Sequence, residues 1–279
     1  APTATPLFDQ SKNSTVETNI TYCTIDGINL EMDVYYPQSA EGLWPVAVYV
    51  HGGSFVMGNK NSGAGIPFVQ PLVEAGYLVV AINYRLAPEN PFPAPIEDVK
   101  CAIRSLRTNA SEYNLDVTRI GVFGGSAGGQ LVSMMGVMDA SAGFDESGGY
   151  LDQSSRVQAV VSMAGLADLS LQCTDERVQI VYAVESCQDT ETLARFSPVN
   201  FISPDDPPFL LLHGEFDTSV PTIHSVVFYD RLQAKGVPVT FFKVQNAEHV
   251  FNPVGEEEMQ PNLEELILIV ISFFNNVMK

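Results

Sequence analysis

Cations are scarce in this chain. Lys and Arg number 14 against 33 Asp and Glu, a formal net charge of −19. Such a field repels phosphate backbones and anionic lipid surfaces, so nucleic acid is not expected as a partner. No run is apolar for long enough to span a bilayer. The most hydrophobic stretch, 266–274, follows Glu264 and Glu265 and precedes Asn275 and Asn276, so it reads as a buried terminal helix, and no stable membrane insertion is expected. Internal repeats, low-complexity tracts and Gly/Ser linkers are also missing, which leaves one domain over 1–279 as the expectation. Charged residues make up only 17% against 46% hydrophobic, so a sizeable core forms and global disorder is excluded.

Cysteines are few, and the four present permit three complete pairings. Cys173 and Cys187 share one irregular segment and can close a short loop. In a helix expected over 95–108, Ile96, Val99, Ile103 and Leu106 form the apolar stripe and Cys101 sits nearly opposite it. A free thiol on an outward face is a liability, so a bridge from Cys101 to Cys23 is expected, with reduced thiols as the alternative. The chain begins Ala1-Pro2-Thr3-Ala4-Thr5-Pro6, which reads as a mature terminus left by leader removal. Together with the cysteines, the acidic charge and glycan acceptor sequences at Asn13, Asn19 and Asn109, this start leads to an expectation of secretion.

A hairpin signal opens the chain, with Asp26-Gly27 between apolar-rich runs at 21–25 and 28–35. Strand candidates follow at 46–50, 77–82, 120–123, 157–162, 209–212 and 239–244, with helical patterns at 67–75, 95–108, 127–138 and 222–235. Continuous apolar strands alternating with helices indicate an α/β protein whose parallel sheet is covered on both faces. The rhythm breaks at 165–207, a stretch too long for an ordinary connection and therefore a candidate lid. The loop 139–155 is also long and rich in Gly and Ser.

Gly124-Gly125-Ser126-Ala127-Gly128 matches G-x-S-x-G between a strand and an almost wholly apolar helix. Glycines around Ser126 allow a tight strand-turn-helix that leaves its hydroxyl projecting at the sheet's C-terminal edge. A Gly-rich helix start that binds phosphate through its amides is the alternative. Serine is a poor nucleophile until a base takes its proton, so a histidine is required. Of the four, His51 precedes a glycine pair, His213 ends a strand and His224 lies in a helical stretch. His249 follows the last strand, in a loop at the same sheet edge as Ser126. Asp217, past the strand 209–212, lies between Ser126 and His249 in the order Ser…Asp…His, with Glu215 its nearest competitor. Gly52 and Gly53, after the strand 46–50, and the amide of Ala127 are the candidate oxyanion donors.

With these motifs, the sequence resembles the α/β-hydrolase superfamily, and within it the hormone-sensitive-lipase-like and feruloyl-esterase-like carboxylesterases. The matching stretches are His51-Gly52-Gly53, 83–89, Phe92-Pro93-Ala94, Glu97-Asp98-Val99, 124–129, Asp206-Pro207-Pro208, Asp217 and His249. The resemblance implies a mostly parallel eight-stranded sheet with helices on both faces and a small lid insertion. It also implies ester hydrolysis through Ser126, Asp217 and His249, with Gly52, Gly53 and Ala127 at the oxyanion and neither metal nor cofactor. Many relatives carry a third glycine where this chain has Ser54, and Arg85, Glu97 and Asp98 read as structural braces. The expected substrate is a small-molecule or carbohydrate-linked ester, acetyl or feruloyl. General short-chain carboxylesterase or lipase activity is the alternative, ahead of an arylformamidase or a non-catalytic ligand-binding relative. Phe55, Tyr84 and Phe251 are candidates to seat an acyl group or, equally, ordinary core aromatics. The oligomeric state is not readable.

Overall fold

Apolar residues at both parities of a strand put side chains on both faces of a sheet, so each face needs its own cover. A computed structural model describes residues 12–38, 42–145 and 147–279. In β3 (Trp44–Val50) every residue is buried. Val46, Val48 and Val50 join one hydrophobic core, while Ala47 and Tyr49 join the other. β7 (Phe209–Gly214) divides in the same way, Phe209 and Leu211 against Leu210 and Leu212.

β1 (Val16–Ile25) and β2 (Ile28–Tyr35) form the hairpin expected from Asp26-Gly27. Both turn residues are left-handed, at φ 52° and 79°, as the two-residue turn requires. The remaining strands are β4 (Leu78–Ile82), β5 (Leu115–Gly125), β6 (Ala159–Met163) and β8 (Val239–Val244). Among the described residues the eight strands make one sheet in the order β1-β2-β4-β3-β5-β6-β7-β8. It is parallel from β4 to β8, with the hairpin added antiparallel at one edge.

α2 (Ala94–Thr108), α3 (Ala127–Val137) and α6 (Ile223–Ala234) cover one face. α1 (Ile66–Glu74) and α7 (Leu263–Met278) cover the other. In α7, Leu266, Val270, Phe274 and Met278 form the buried stripe, and an Asn262–Glu265 capping box starts the helix. Among the described residues no helix is long and apolar enough to cross a membrane.

Two expectations need correction. The strand expected at 120–123 runs from Leu115, because Trp44 pairs with Leu115 across a register shift and Arg119 is tied to the Leu43 carbonyl at 2.7 Å. Cys101 does not face outward: it is wholly buried and bonded to Cys23 of β1. The polar side of α2 is roofed by the hairpin and by Asp145, Ser147 and Gly149 of the following loop, Asp145 receiving Lys100 at 2.6 Å and Arg104 at 3.0 Å. Burying two cations requires a nearby acid, and one carboxylate on the loop supplies it. The insertion at 165–207 folds as α4 (Glu176–Tyr182) and α5 (Thr190–Arg195) with short 3₁₀ turns on either side. A Cys173–Cys187 disulfide closes it, and Tyr182 and Phe196 pack on Phe92, Tyr182 also meeting Phe55 edge-on.

Strand order also locates the functional edge. The chain leaves β3, adds β4 on one side and then crosses back to place β5 on the other. At such a reversal the loops beyond the two strand ends part and leave a crevice. Val50 pairs with Gly124, so His51-Gly52-Gly53 and Ser126 emerge side by side into it.

Candidate active site

Ser126 stands between β5 and α3 with φ 57° and ψ −120°, a conformation an L-residue adopts only when its surroundings force it. Its amide donates to the Met163 carbonyl of β6 at 2.8 Å, which pins the turn to the neighbouring strand. Gly128 shows why the flanking positions are small: a Cβ there would lie 2.1 Å from the Val50 carbonyl oxygen. Close approach of α3 to β3 therefore depends on the missing side chain. Ala127 is the first residue of α3, and its amide lies ahead of the helical hydrogen-bond ladder.

Asp217 and His249 sit on separate loops, after β7 and β8, that are bound together. Glu215 and Phe216 donate amide hydrogen bonds to the carbonyls of Val244 and Ala247, both at 2.9 Å. A Cβ on Gly214 would be 2.5 Å from the Glu248 carbonyl oxygen. Nδ1 of His249 donates to Asp217 Oδ2 at 2.6 Å, which leaves Nε2 as the basic nitrogen. The other oxygen, Oδ1, accepts the amides of Ser219 and Val220 at 2.9 and 2.8 Å. Burial alone would raise the Asp217 carboxyl. Hydrogen bonds from His213, His249 and the Val220 amide outweigh it and hold the group well below the ordinary carboxylate range. Glu215, the competing acid, turns instead to Lys243 at 2.8 Å.

The loop after β3 is braced from below. His51 donates through Nδ1 to the Gly52 carbonyl at 2.6 Å and stacks on Tyr84 with ring centres 4.2 Å apart. Burial lowers His51 to about 4, so the ring is neutral near pH 7. The Tyr84 hydroxyl donates to the His51 carbonyl at 3.0 Å. Gly53 (φ 116°), Ser54 (φ 52°) and Phe55 (φ 62°) then turn through three consecutive left-handed residues.

Ser126, Ala127, His249, Ser54 and Phe55 line one cavity of about 40 Å³. Its apolar walls come from Val220 and, in the insertion, from Leu166, Val178, Val181 and Tyr182. Gln172, Asp175 and Arg177 supply polar groups from the insertion. Gln172 ties this wall to the acid loop, donating to Asp175 Oδ2 and to the Ser219 carbonyl, both at 2.9 Å. Ser126, His249 and Ala127 thus meet at one cavity, with Asp217 hydrogen-bonded behind His249. Gly52 and Gly53 lie in the adjoining turn, and Ser54 rather than either glycine faces the cavity. A Cβ on Gly52 would be 2.8 Å from the Gly125 carbonyl oxygen, so that glycine lets the loop close against the serine turn.

Of the three aromatic candidates only Phe55 lines the cavity. Tyr84 is buried under His51, and Phe251 belongs to the core on the opposite sheet face. Sequence reasoning noted Ser54 only as a departure from the glycine of relatives, set His213 aside as a strand end, and gave 165–207 as a candidate lid without naming the residues that line the cavity. Among the described residues no group of three or more His, Cys, Asp or Glu is disposed to hold a metal ion. Arranged this way, an imidazole with one nitrogen held by a carboxylate can take a proton from a hydroxyl in the same cavity.

The BD-FAE family model matches residues 32–232. The probable carboxylic ester hydrolase LipM of Mycobacterium tuberculosis (strain ATCC 25618 / H37Rv) is 34% identical over 222 residues, covering 77% of this chain and 51% of LipM. The chain thus spans about half the length of the curated relatives it matches. Among solved structures, a truncated carbohydrate esterase from gut microbiota superposes with a TM-score of 0.81 at 27% identity, covering 98% of this chain and 99% of that one. A bifunctional GH43-CE protein of Bacteroides eggerthii gives a TM-score of 0.81 at 28% identity, over 95% of this chain and 38% of that one. Fold, motif spacing and these likenesses agree: the chain belongs to the BD-FAE family and has the α/β-hydrolase fold.

Proposed function

We propose that this chain is a serine esterase acting through an acyl-enzyme on short acyl esters, with acetyl groups of carbohydrate as the favoured substrate. One observation carries the reading: His249, bonded to Asp217 at 2.6 Å, shares a cavity with Ser126. Ser126 Oγ attacks the ester carbonyl while His249 Nε2 takes its proton. The Ala127 amide and those of the Gly52-Gly53-Ser54 turn receive the oxyanion, protonated His249 returns its proton to the leaving alcohol, and water releases the acid. Asp217 remains a carboxylate throughout and stabilises the imidazolium.

The acyl preference rests on space. A cavity of about 40 Å³ holds roughly two or three water-sized groups, which suits an acetyl or propionyl group better than a bulkier feruloyl arm. Apolar walls seat the methyl group, while Gln172, Asp175 and Arg177 offer hydrogen-bonding groups for a hydroxyl-rich alcohol. The carbohydrate-esterase neighbours support the sugar side. Export is part of the proposal, supported by two disulfides and by an exposed glycan acceptor at Asn19. A general short-chain carboxylesterase is the second reading, favoured by the LipM likeness.

Ser126→Ala abolishes hydrolysis if the mechanism holds; activity persisting above host background overturns it. Rates on aryl acetate, butyrate and octanoate, beside acetylated xylan and methyl ferulate, test the substrate. Acetyl esters lead on this proposal, and a preference for methyl ferulate rejects it.

A further inference from the structure

A second imidazole touches the acid. His213, near the end of β7, is wholly buried. Its Nε2 lies 2.8 Å from the Val220 carbonyl oxygen and 3.1 Å from Asp217 Oδ2, and its Nδ1 lies 2.7 Å from Ser225 Oγ on α6. Both neighbours of Nε2 are acceptors, so Nε2 carries a hydrogen. The Ser225 hydroxyl can donate and so satisfies Nδ1 of a neutral ring.

The two amides that hold Asp217 Oδ1 come from Ser219 and Val220, on the same loop as Asp217, and move with it. His213 belongs to the sheet. It is the group that ties this carboxylate, and the Val220 carbonyl beside it, to a rigid strand. We propose that His213 is a positioning residue for the acid, a neutral Nε2–H tautomer set by Ser225 that fixes Asp217 Oδ2 where His249 meets it. The inference rests on the serine-esterase reading and extends it to a residue outside the triad.

Oδ2 is shared by two donors, which gives a signature beyond loss of rate. Without the His213 hydrogen bond, Oδ2 holds a protonated His249 more strongly, so the acid limb of the pH–rate profile moves to higher pH. Other titratable groups around this centre include His224 on α6, Asp168 ahead of the first turn of the insertion, Asp175 and Arg177 on the cavity wall, the Glu215–Lys243 pair, and Glu248 beside His249.

The test compares His213→Leu, His213→Gln and Ser225→Ala on p-nitrophenyl acetate. Rates are normalised to sites titrated with a serine-reactive phosphonate, so misfolded molecules drop out. His213→Leu is expected to lower kcat per titrated site roughly 10- to 100-fold with KM little changed, and to raise the acid limb. Gln places an amide N–H near the position of Nε2 and should restore most of both. Ser225→Ala should move the limb in the same direction as Leu, which keeps a readout if His213→Leu does not fold. Wild-type kcat and limb in both His213→Leu and Ser225→Ala, or a Gln variant no better than Leu, overturns the proposal. Failure of the esterase reading shows separately, as wild-type protein that the phosphonate does not label or a Ser126→Ala variant that still turns over.

Discussion

Backbone conformation and buried charge set what single residues tolerate here. Gly53 combines φ 116° with a backbone so close that a Cβ would stand 2.0 Å from the Met57 carbonyl oxygen. Gly53→Ala must therefore open the Gly52-Gly53-Ser54 turn proposed to receive the oxyanion. Its kcat should fall by roughly 10²–10³, the usual cost of one oxyanion donor, with the fold retained by circular dichroism. Arg85 offers the opposite case, a residue that matters to stability and not to chemistry. Its guanidinium and amide bind Asp98 at 2.7–3.0 Å, and Asp98 is wholly buried. Arg85→Met removes the guanidinium and leaves that carboxylate only the residue-85 amide, and should cost about 3–5 kcal/mol in denaturant unfolding. Activity per folded molecule should not change, because Arg85 lies outside the cavity lining.

Two disulfides serve different elements, and removing them should have different effects. Cys23–Cys101, 78 residues apart, fastens the edge hairpin to α2, and neither cysteine lines the cavity. Replacing both by Ser should lower stability by about 4 kcal/mol on the loop-entropy model and leave KM where it was. Cys173–Cys187 spans 14 residues of the insertion whose α4 residues Arg177, Val178, Val181 and Tyr182 form a wall of the cavity. Its loss should cost about 3 kcal/mol of constraint and loosen that wall. The expected readout is a raised KM for aryl acetate and a smaller penalty for butyrate. An unchanged acetate-to-butyrate ratio would mean the wall stands on its aromatic contacts alone.

At the scale of the whole molecule, buried neutral imidazoles link the fold to pH. Burial lowers His51 and His224 each to about 4. Their ordinary value is 6.5, so between pH 6.5 and 4 the unfolded chain binds protons that the folded chain refuses. Stability therefore falls with pH across that window, by on the order of 3 kcal/mol per histidine. Asp98, raised by burial to about 6 despite Arg85, acts in the reverse sense: its contribution is full below 3.8 and is lost as pH rises through 6. With two groups against one, the thermal midpoint by calorimetry should drop between pH 7 and 4.5, and a flat profile would contradict the burial of these rings. Much of the architecture was legible beforehand because it is local in origin. Strand and helix runs declare themselves by apolar period, Asp26-Gly27 by the turn it demands, and Ser126 by glycines that only a tight strand-to-helix turn requires. Asp217 and His249 were legible one step further, since both follow strands and strand ends share an edge. Convergence at a cavity was beyond that reading. Its wall comes from the irregular insertion, Ser54 of the turn lines it, and His213 reaches Asp217 through packing of β7 on α6. Cys101 was misplaced for the same reason, because a helix's pattern tells which face is apolar but not what will cover its polar side. Sequence alone determined which segments form elements and which side chains can do chemistry. Tertiary structure decided which of them meet, because distance between residues far apart in the chain is set by packing of whole elements, and no local pattern encodes it.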